Sequence, residues 1–362
     1  MKKPLISLIA LTASVVSANA FAASNMENPL YMPKNREVYL KTGAAVMYKE
    51  ADTTKATLKK ETNGKTEFPI WRFAGDIGYG ITDRLDIHGH FGYTRDNDIN
   101  RKGMHRGRVG LMYRILTEEQ PFVLDIYGDA YLSGITPMKG TYTTKGFNFD
   151  NYSNGRYGAI AGTRFGKTFK NDLTLAAHVE YLQTFGNHNN KIAIDPALRA
   201  PIPTGYPAPN DYIYPSMTQL GFPSEIEVNL KSTHETVAGF DTMYQINKKW
   251  SIGGGFEYVE HSDNSVKSIH TKLNKPDATV FGGSAEKAQK AQEGDVNNLL
   301  QETKYMKDGW DEYVLKFSVG YSISEDVQVA VFAEYTWDDA HSKSQNGTDE
   351  KAEAGFRLNA RF

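Results

Sequence analysis

Between Asp76 and Tyr93 the chain reads DIGYGITDRLDIHGHFGY, and its apolar and polar positions alternate. Every odd position from Ile77 to Tyr93 except Asp83 is apolar, aromatic or glycine, and every even one is polar, charged or glycine. A period of two across both arms of a turn is the pattern of a β-hairpin with one apolar and one polar face. The alternation returns along the whole chain and predicts twelve strands, near 37–48, 67–81, 85–94, 105–115, 121–132, 155–166, 173–184, 231–246, 250–261, 311–323, 327–337 and 351–362. Each is about as long as a tilted strand must be to cross a bilayer. In the eleventh, the apolar parity holds Val327, Val329, Val331, Ala333, Tyr335 and Trp337; in the twelfth, Ala352, Ala354, Phe356, Leu358, Ala360 and Phe362.

The connections alternate between two classes. Short turns fall at 82–84, 116–120, 167–172, 247–249 and 324–326, and long loops at 49–66, 95–104, 133–154, 185–230, 262–310 and 338–350. Short turns on one rim and long loops on the other describe an up-and-down meander closed into a barrel, with both ends of the chain on the short-turn side. A soluble β-sandwich has no reason to obey that alternation. The apolar faces then point outward to lipid and the polar faces inward, and closure removes edges that hydrocarbon could not satisfy.

On these features the chain resembles Gram-negative outer-membrane β-barrel proteins of the porin and transporter kind over essentially its mature length. The outward aromatics Trp71, Phe73, Tyr93, Tyr157, Trp250, Tyr258, Tyr313 and Trp337 lie near strand ends, where such barrels carry aromatic girdles. The terminal AGFRLNARF is similar to the family's insertion signal, with Phe356, Leu358 and the final Phe362 at alternate positions. Ala360 departs from the aromatic often found there. The resemblance implies an all-β, closed antiparallel barrel in the bacterial outer membrane, short periplasmic turns and long external loops. It also implies outer-membrane lipids and the barrel-assembly machinery as partners.

Composition agrees. Lys2 and Lys3, the apolar run Leu5 to Val16 and the small residues around Ala18 to Ala23 read as a signal peptide over 1–22, cleaved near Ala20 to Ala23. Residues 23–36 then form a periplasmic N-terminal segment ahead of a barrel domain at 37–362. Setting aside Lys2 and Lys3, 39 of the 41 basic residues stand against 43 acidic ones, a balance that gives nucleic acid no purchase. The mean hydropathy is −0.51, and no apolar run after the signal is long enough for a membrane helix. The chain has no cysteine, so neither disulfides nor thiol chemistry enter.

With parity fixed, the lumen can be read. Strands two to six place Arg72, Asp76, Asp86, His88, His90, Arg106, Arg108, Arg114, Asp125, Asp129, Arg156 and Arg164 inward, six arginines against four acids. Strands seven to twelve place His178, Glu180, Asp241, Glu257, Glu312, Lys316, Glu334, Glu353, Arg357 and Arg361 inward, three bases against six acids. Two readings stand together: a transverse field across a watery channel, and cross-strand ion-pair ladders that stiffen the wall. Turn 324–326 sets Lys316 opposite Glu334, and turn 82–84 sets Asp76 opposite His90.

Loop 185–230 holds seven of the fourteen prolines together with Tyr206, Tyr212, Tyr214 and Phe222, and reads as an ordered constriction folded into the mouth. In loop 262–310, helix formers broken at Gly294, with Asp295 as a cap, read as a pair of short surface helices.

Other chemistry is weaker. His88, His90 and Asp76 could share a metal, yet a hydrated pair bonded to Asp76 explains them as well. The run from Asp96 begins like a calcium loop but has Arg101 and Gly107 where glycine and glutamate are needed. Glu235 falls opposite His261 near the outer rim, one acid–histidine pair without the rest of a hydrolytic site. The expectation is a channel for passive diffusion of small polar solutes, with no cofactor and no metal. The alternatives are a rim hydrolase or a plugged structural or surface-recognition barrel.

Overall fold

The structure, a computed structural model, describes residues 25–51, 70–96, 101–132, 139–143, 146–149, 156–185, 190–199, 216–262, 266–305, 310–339 and 348–362. Its strands are β1 (Val38–Ala51), β2 (Ile70–Thr82), β3 (Leu85–Asp96), β4 (Arg101–Leu116), β5 (Val123–Leu132), β6 (Lys139–Thr143), β7 (Gly146–Phe149), β8 (Tyr157–Thr168), β9 (Leu173–Thr184), β10 (Asn190–Ile194), β11 (Glu225–Leu230), β12 (His234–Gln245), β13 (Trp250–His261), β14 (Val266–Ile269), β15 (Trp310–Ser322), β16 (Val327–Asp339) and β17 (Thr348–Arg361). Among the described residues the α-helices are α1 (Pro196–Arg199) and α2 (Ala285–Tyr305).

Twelve strands close a barrel in the order β1-β2-β3-β4-β5-β8-β9-β12-β13-β15-β16-β17, with β17 returning to β1. Every neighbouring pair is antiparallel, so the short turns share one rim and the long connections the other. The seam is extended by the last residue, because Val38 and Phe362 exchange both backbone hydrogen bonds.

The outward parity is apolar and meets lipid, as the alternation requires: Val331, Phe356, Val109 and Ile77 are all exposed. At the long-loop end of β13, β15 and β16, Tyr313 stacks on Trp337 at 5.6 Å and meets Tyr258 at a tilt, 5.5 Å away. At the short-turn end Trp250 meets Tyr321 at 4.8 Å. Two aromatic belts bound one apolar band.

Four features differ from the sequence reading. First, residues 25–32 do not hang below the barrel as a periplasmic segment. They turn back inside it, with Met26 and Leu30 fully buried. Their backbone polar groups find partners on the barrel wall, which is what makes an irregular segment tolerable there.

Second, the long loops are not independent. β6, β7, β10, β11 and β14 form a second sheet in the order β14-β11-β10-β6-β7, built from three different connections. Its core is Ile192, Ile194, Leu220, Phe222, Ile226, Val228 and Leu230. Phe222, read above as part of a constriction, is therefore a cap core residue. Tyr206, Tyr212 and Tyr214 lie outside the described residues, as do residues 1–22, read from sequence as a signal peptide, and 97–100 of the run that begins like a calcium loop.

Third, α2 is one helix through Gly294. A single internal glycine costs about 1 kcal/mol relative to alanine. Burial of Ala288, packing of Ala291 and Val296 on the cap core, and hydrogen bonds from Gln292 to the Leu220 and Asn274 carbonyls offset it. Asp295 is an interior residue rather than a cap.

Fourth, β4 carries a bulge. The register against β3 shifts between His90 and Gly92, and Arg106 sits there with φ of 53°. The extra residue reverses the parity of the upper part of β4, so Met104 faces lipid.

Candidate functional site

The lumen is built in three levels. The lowest is the floor made by residues 25–32. Arg114 donates to the Leu30 carbonyl at 2.6 Å, and Arg164 donates to the Pro29 and Tyr31 carbonyls at 2.8 and 3.2 Å. Both guanidinium groups converge on buried Asp125, at 2.8 and 2.6 Å. Leu30 packs on Val123 and Ala176. On the other side, Glu27 accepts from Arg357 at 2.8 Å and from Asn359, and Gln328 accepts the Met26 N–H at 3.1 Å. Asn25 donates to Gln245. The Tyr31 hydroxyl donates to Glu37, and burial together with that carboxylate pushes its pKa well above the ordinary phenol value.

Above the floor lies a chamber of about 480 Å³ whose lining comes from all twelve barrel strands. Lys41 enters from β1, its ammonium 5.7 Å from the Tyr31 ring centre. Arg72 bonds Glu353 across β1, and Arg108 reaches Glu180 at 3.1 Å, with Tyr127 on the same carboxylate oxygen. Lys316 pairs with Glu257 rather than with Glu334, its register neighbour.

Histidines bridge carboxylates throughout. His88 lies 2.9 Å from Asp86 and 3.0 Å from Asp129; His178 lies 3.3 Å from Asp241 and 3.2 Å from Glu257. Hydrogen bonds on both ring nitrogens need two N–H groups, or a proton carried by one carboxylate. His178 also lies against Gly239, where a Cβ would meet the ring at 2.3 Å, so glycine makes room for it. His90 takes Asp76 at 2.7 Å, and His88 and His90, weighed above as a metal pair and set aside, have separate partners. Among the described residues one trio, His178, Asp241 and Glu257, brings a possible ligand atom from each within 4.8 Å of the others. Lys316 already neutralises Glu257 there.

The upper level is a bar of alternating charge. Lys351 binds Glu312 at 2.7 Å, Glu312 lies 3.5 Å from His261, His261 lies 3.1 Å from Glu235, and Glu235 takes Arg106 at 3.2 Å. Arg106 is on β4 and Glu235 on β12, with β5, β8 and β9 between them. Their contact is therefore a chord across the lumen. The bulge aims Arg106 at it, in a backbone region that costs a non-glycine residue about 1–3 kcal/mol.

Of the residues read from parity as inward, Arg72, Asp76, His90, Arg106, Arg108, His178, Glu180, Glu257, Lys316, Glu334, Glu353 and Arg357 line the chamber. Asp129 is withdrawn behind Arg108 and His88. Asp241 stands beside His178, and Arg156 is buried just ahead of β8, outside the chamber. Lys41, Tyr127, Tyr131 and the floor were missed. Parity could have found the first three; nothing in the pattern of residues 25–32 announces a floor.

No protein-family model matches this chain, and no curated protein matches it in sequence. Solved structures do match. The COG4313 outer membrane channel from Pseudomonas putida F1 is similar with a TM-score of 0.52 at 11% identity, over 91% of this chain and 97% of that one. The β domain of the Bordetella autotransporter BrkA aligns at 0.39 and 11% identity, over 90% and 99%. OmpT, an outer membrane protein of Vibrio cholerae, aligns in its loop-deleted form at 0.33 and 9%, over 90% and 98%. The fold, an apolar belt around a closed twelve-strand barrel with a charged interior, is that of bacterial outer-membrane β-barrel proteins. The chain resides in that membrane.

Proposed function

We propose that this barrel is a passive channel for small polar solutes, with the lumenal chamber as its waiting room. The observation that carries the reading is the chamber itself: a polar space of about 480 Å³, lined by charged side chains from around the barrel wall. A barrel serving only as structure gains nothing from keeping such groups solvated at its centre, whereas a solute path needs them. The Pseudomonas neighbour whose fold this chain shares is described as an outer membrane channel, which agrees with the reading.

The floor supports a second reading, a plugged barrel with a structural or recognition role, because residues 25–32 occupy the periplasmic end. Single-channel recording in planar bilayers separates the two. The channel reading expects small unitary steps from the intact protein and larger ones after residues 25–32 are removed. Silence from both forms would sink it. A rim hydrolase draws less support. Glu235 and His261 do meet, but Arg106 holds the acid and Glu312 faces the second ring nitrogen, so neither is poised to activate water.

A further inference from the structure

We infer that the chamber prefers small organic anions, carboxylates and phosphates, because its ion pairs turn their bases to the water and their acids to the wall. This rests on the channel reading only for passage, not for binding. In the pair that spans the lumen, Arg106 is 53% exposed and Glu235 14%. Arg72 is 36% exposed and its partner Glu353 10%. Arg108 is 33% exposed, against 18% for Glu180 and 0% for Asp129. A count of formal charges along the lumen hides this, since acids and bases nearly balance. What a solute touches is the guanidinium surface.

The donor inventory points the same way. A guanidinium carries five N–H groups in a planar fork. Arg106 gives only one terminal nitrogen to Glu235, and Arg72 only one to Glu353, among the described residues. Among the described residues the remaining nitrogens have no acceptor: Nε and Nη2 of Arg72 form the edge that takes a carboxylate or phosphate with two parallel hydrogen bonds, and Nε and Nη1 of Arg106 each keep an N–H for a further acceptor. The strained backbone at Arg106 supports the assignment, because a bulge that costs stability yet directs one cation into the lumen fits a positioning role better than a structural one. Asp76 and Asp241 are exceptions, 38% and 26% exposed, but a histidine is bound to each. Glu334 is the lining acid left without an ion pair among the described residues.

The test has two arms on the full chain and on Arg106→Gln and Arg72→Gln. In planar bilayers under a potassium chloride gradient, the zero-current potential should report chloride preference, and each variant should move it towards potassium. The preference should fade near 1 M salt, where a Debye length of about 3 Å confines the field to the wall. Separately, calorimetric titration of the detergent-solubilised barrel with succinate and with putrescine reads binding without any need for conduction. Succinate should bind the more tightly, and Arg106→Gln should weaken it about tenfold, the equivalent of roughly 1.4 kcal/mol. Conducting barrels that prefer potassium, with succinate no tighter than putrescine, overturn the anion inference and leave the channel reading standing. Barrels that never conduct remove the channel reading, and the titration then decides the anion site alone.

Discussion

At Asp125 a single buried carboxylate holds two arginines, and those arginines hold the floor. Removing its charge leaves, among the described residues, only exposed Glu118, 3.9 Å from Arg114, to offset two guanidinium groups that face each other. The loss from breaking such a buried network is typically about 3–5 kcal/mol. Asp125→Asn should therefore lower the temperature at which the barrel loses its heat-modifiable gel mobility, more than Glu334→Gln does at a lining position without an ion pair among the described residues. Equal midpoints would show that the floor contributes nothing to stability. The wall's parity can be probed the same way. Val331 is 65% exposed to lipid, so Val331→Asp places a charge in hydrocarbon at a cost of up to about 2–4 kcal/mol. Ser318, of the same inward parity as Lys316, offers a wet site for the same charge. Val331→Asp should assemble poorly and Ser318→Asp nearly normally, read as the folded fraction in the outer membrane.

At the scale of elements, a period of two is legible wherever one face is lipid and the other water, which is why the barrel strands and their turns could be read directly. Phe356 and Leu358 point to lipid as the parity demands. Elsewhere the signal thins for physical reasons. The cap strands NKIAI and EIEVNL do alternate, but each is short and sits inside a long connection whose other parts show no period. They pair with each other within one connection, but their other edges pair with β6 and β14, which belong to two further loops. The bulge at Arg106 leaves no mark, since an inserted residue looks like any other until its partner strand is known. Ion-pair partners such as Arg106 and Glu235 depend on how the closed barrel brings distant strands face to face, which neighbouring-strand arithmetic cannot supply. The cap's independence can be tested at Ile226, fully buried in its core. Ile226→Asp should expose the external loops to proteolysis while the barrel keeps its heat-modifiable mobility. Loss of the barrel itself would make the cap part of one folding unit. We further propose that Phe362 serves assembly: its deletion removes two seam hydrogen bonds and should reduce the folded protein in the membrane without altering conductance per molecule.

For the whole molecule, the floor has a consequence in time rather than in space. Asn25 bonds a residue 220 positions away, Met26 one 302 away and Glu27 one 330 away. Contacts of such separation can form only after the strands that offer them exist, and closing them is entropically slow. Arg114, Arg164 and Gln245 can hold residues 25, 29, 30 and 31 before the last strand arrives, but the Glu27 carboxylate has neither Arg357 nor Asn359 until β17 is in place. In a nascent barrel whose β17 has not met β1, the segment lacks its Glu27 contacts and should be cut more readily by a protease added from the periplasmic side. Once the seam closes, Arg357 and Asn359 capture Glu27, and the same segment disappears from view. Cleavage ahead of Val38 should thus serve as a clock for the last step of assembly, falling as the seam between β1 and β17 closes.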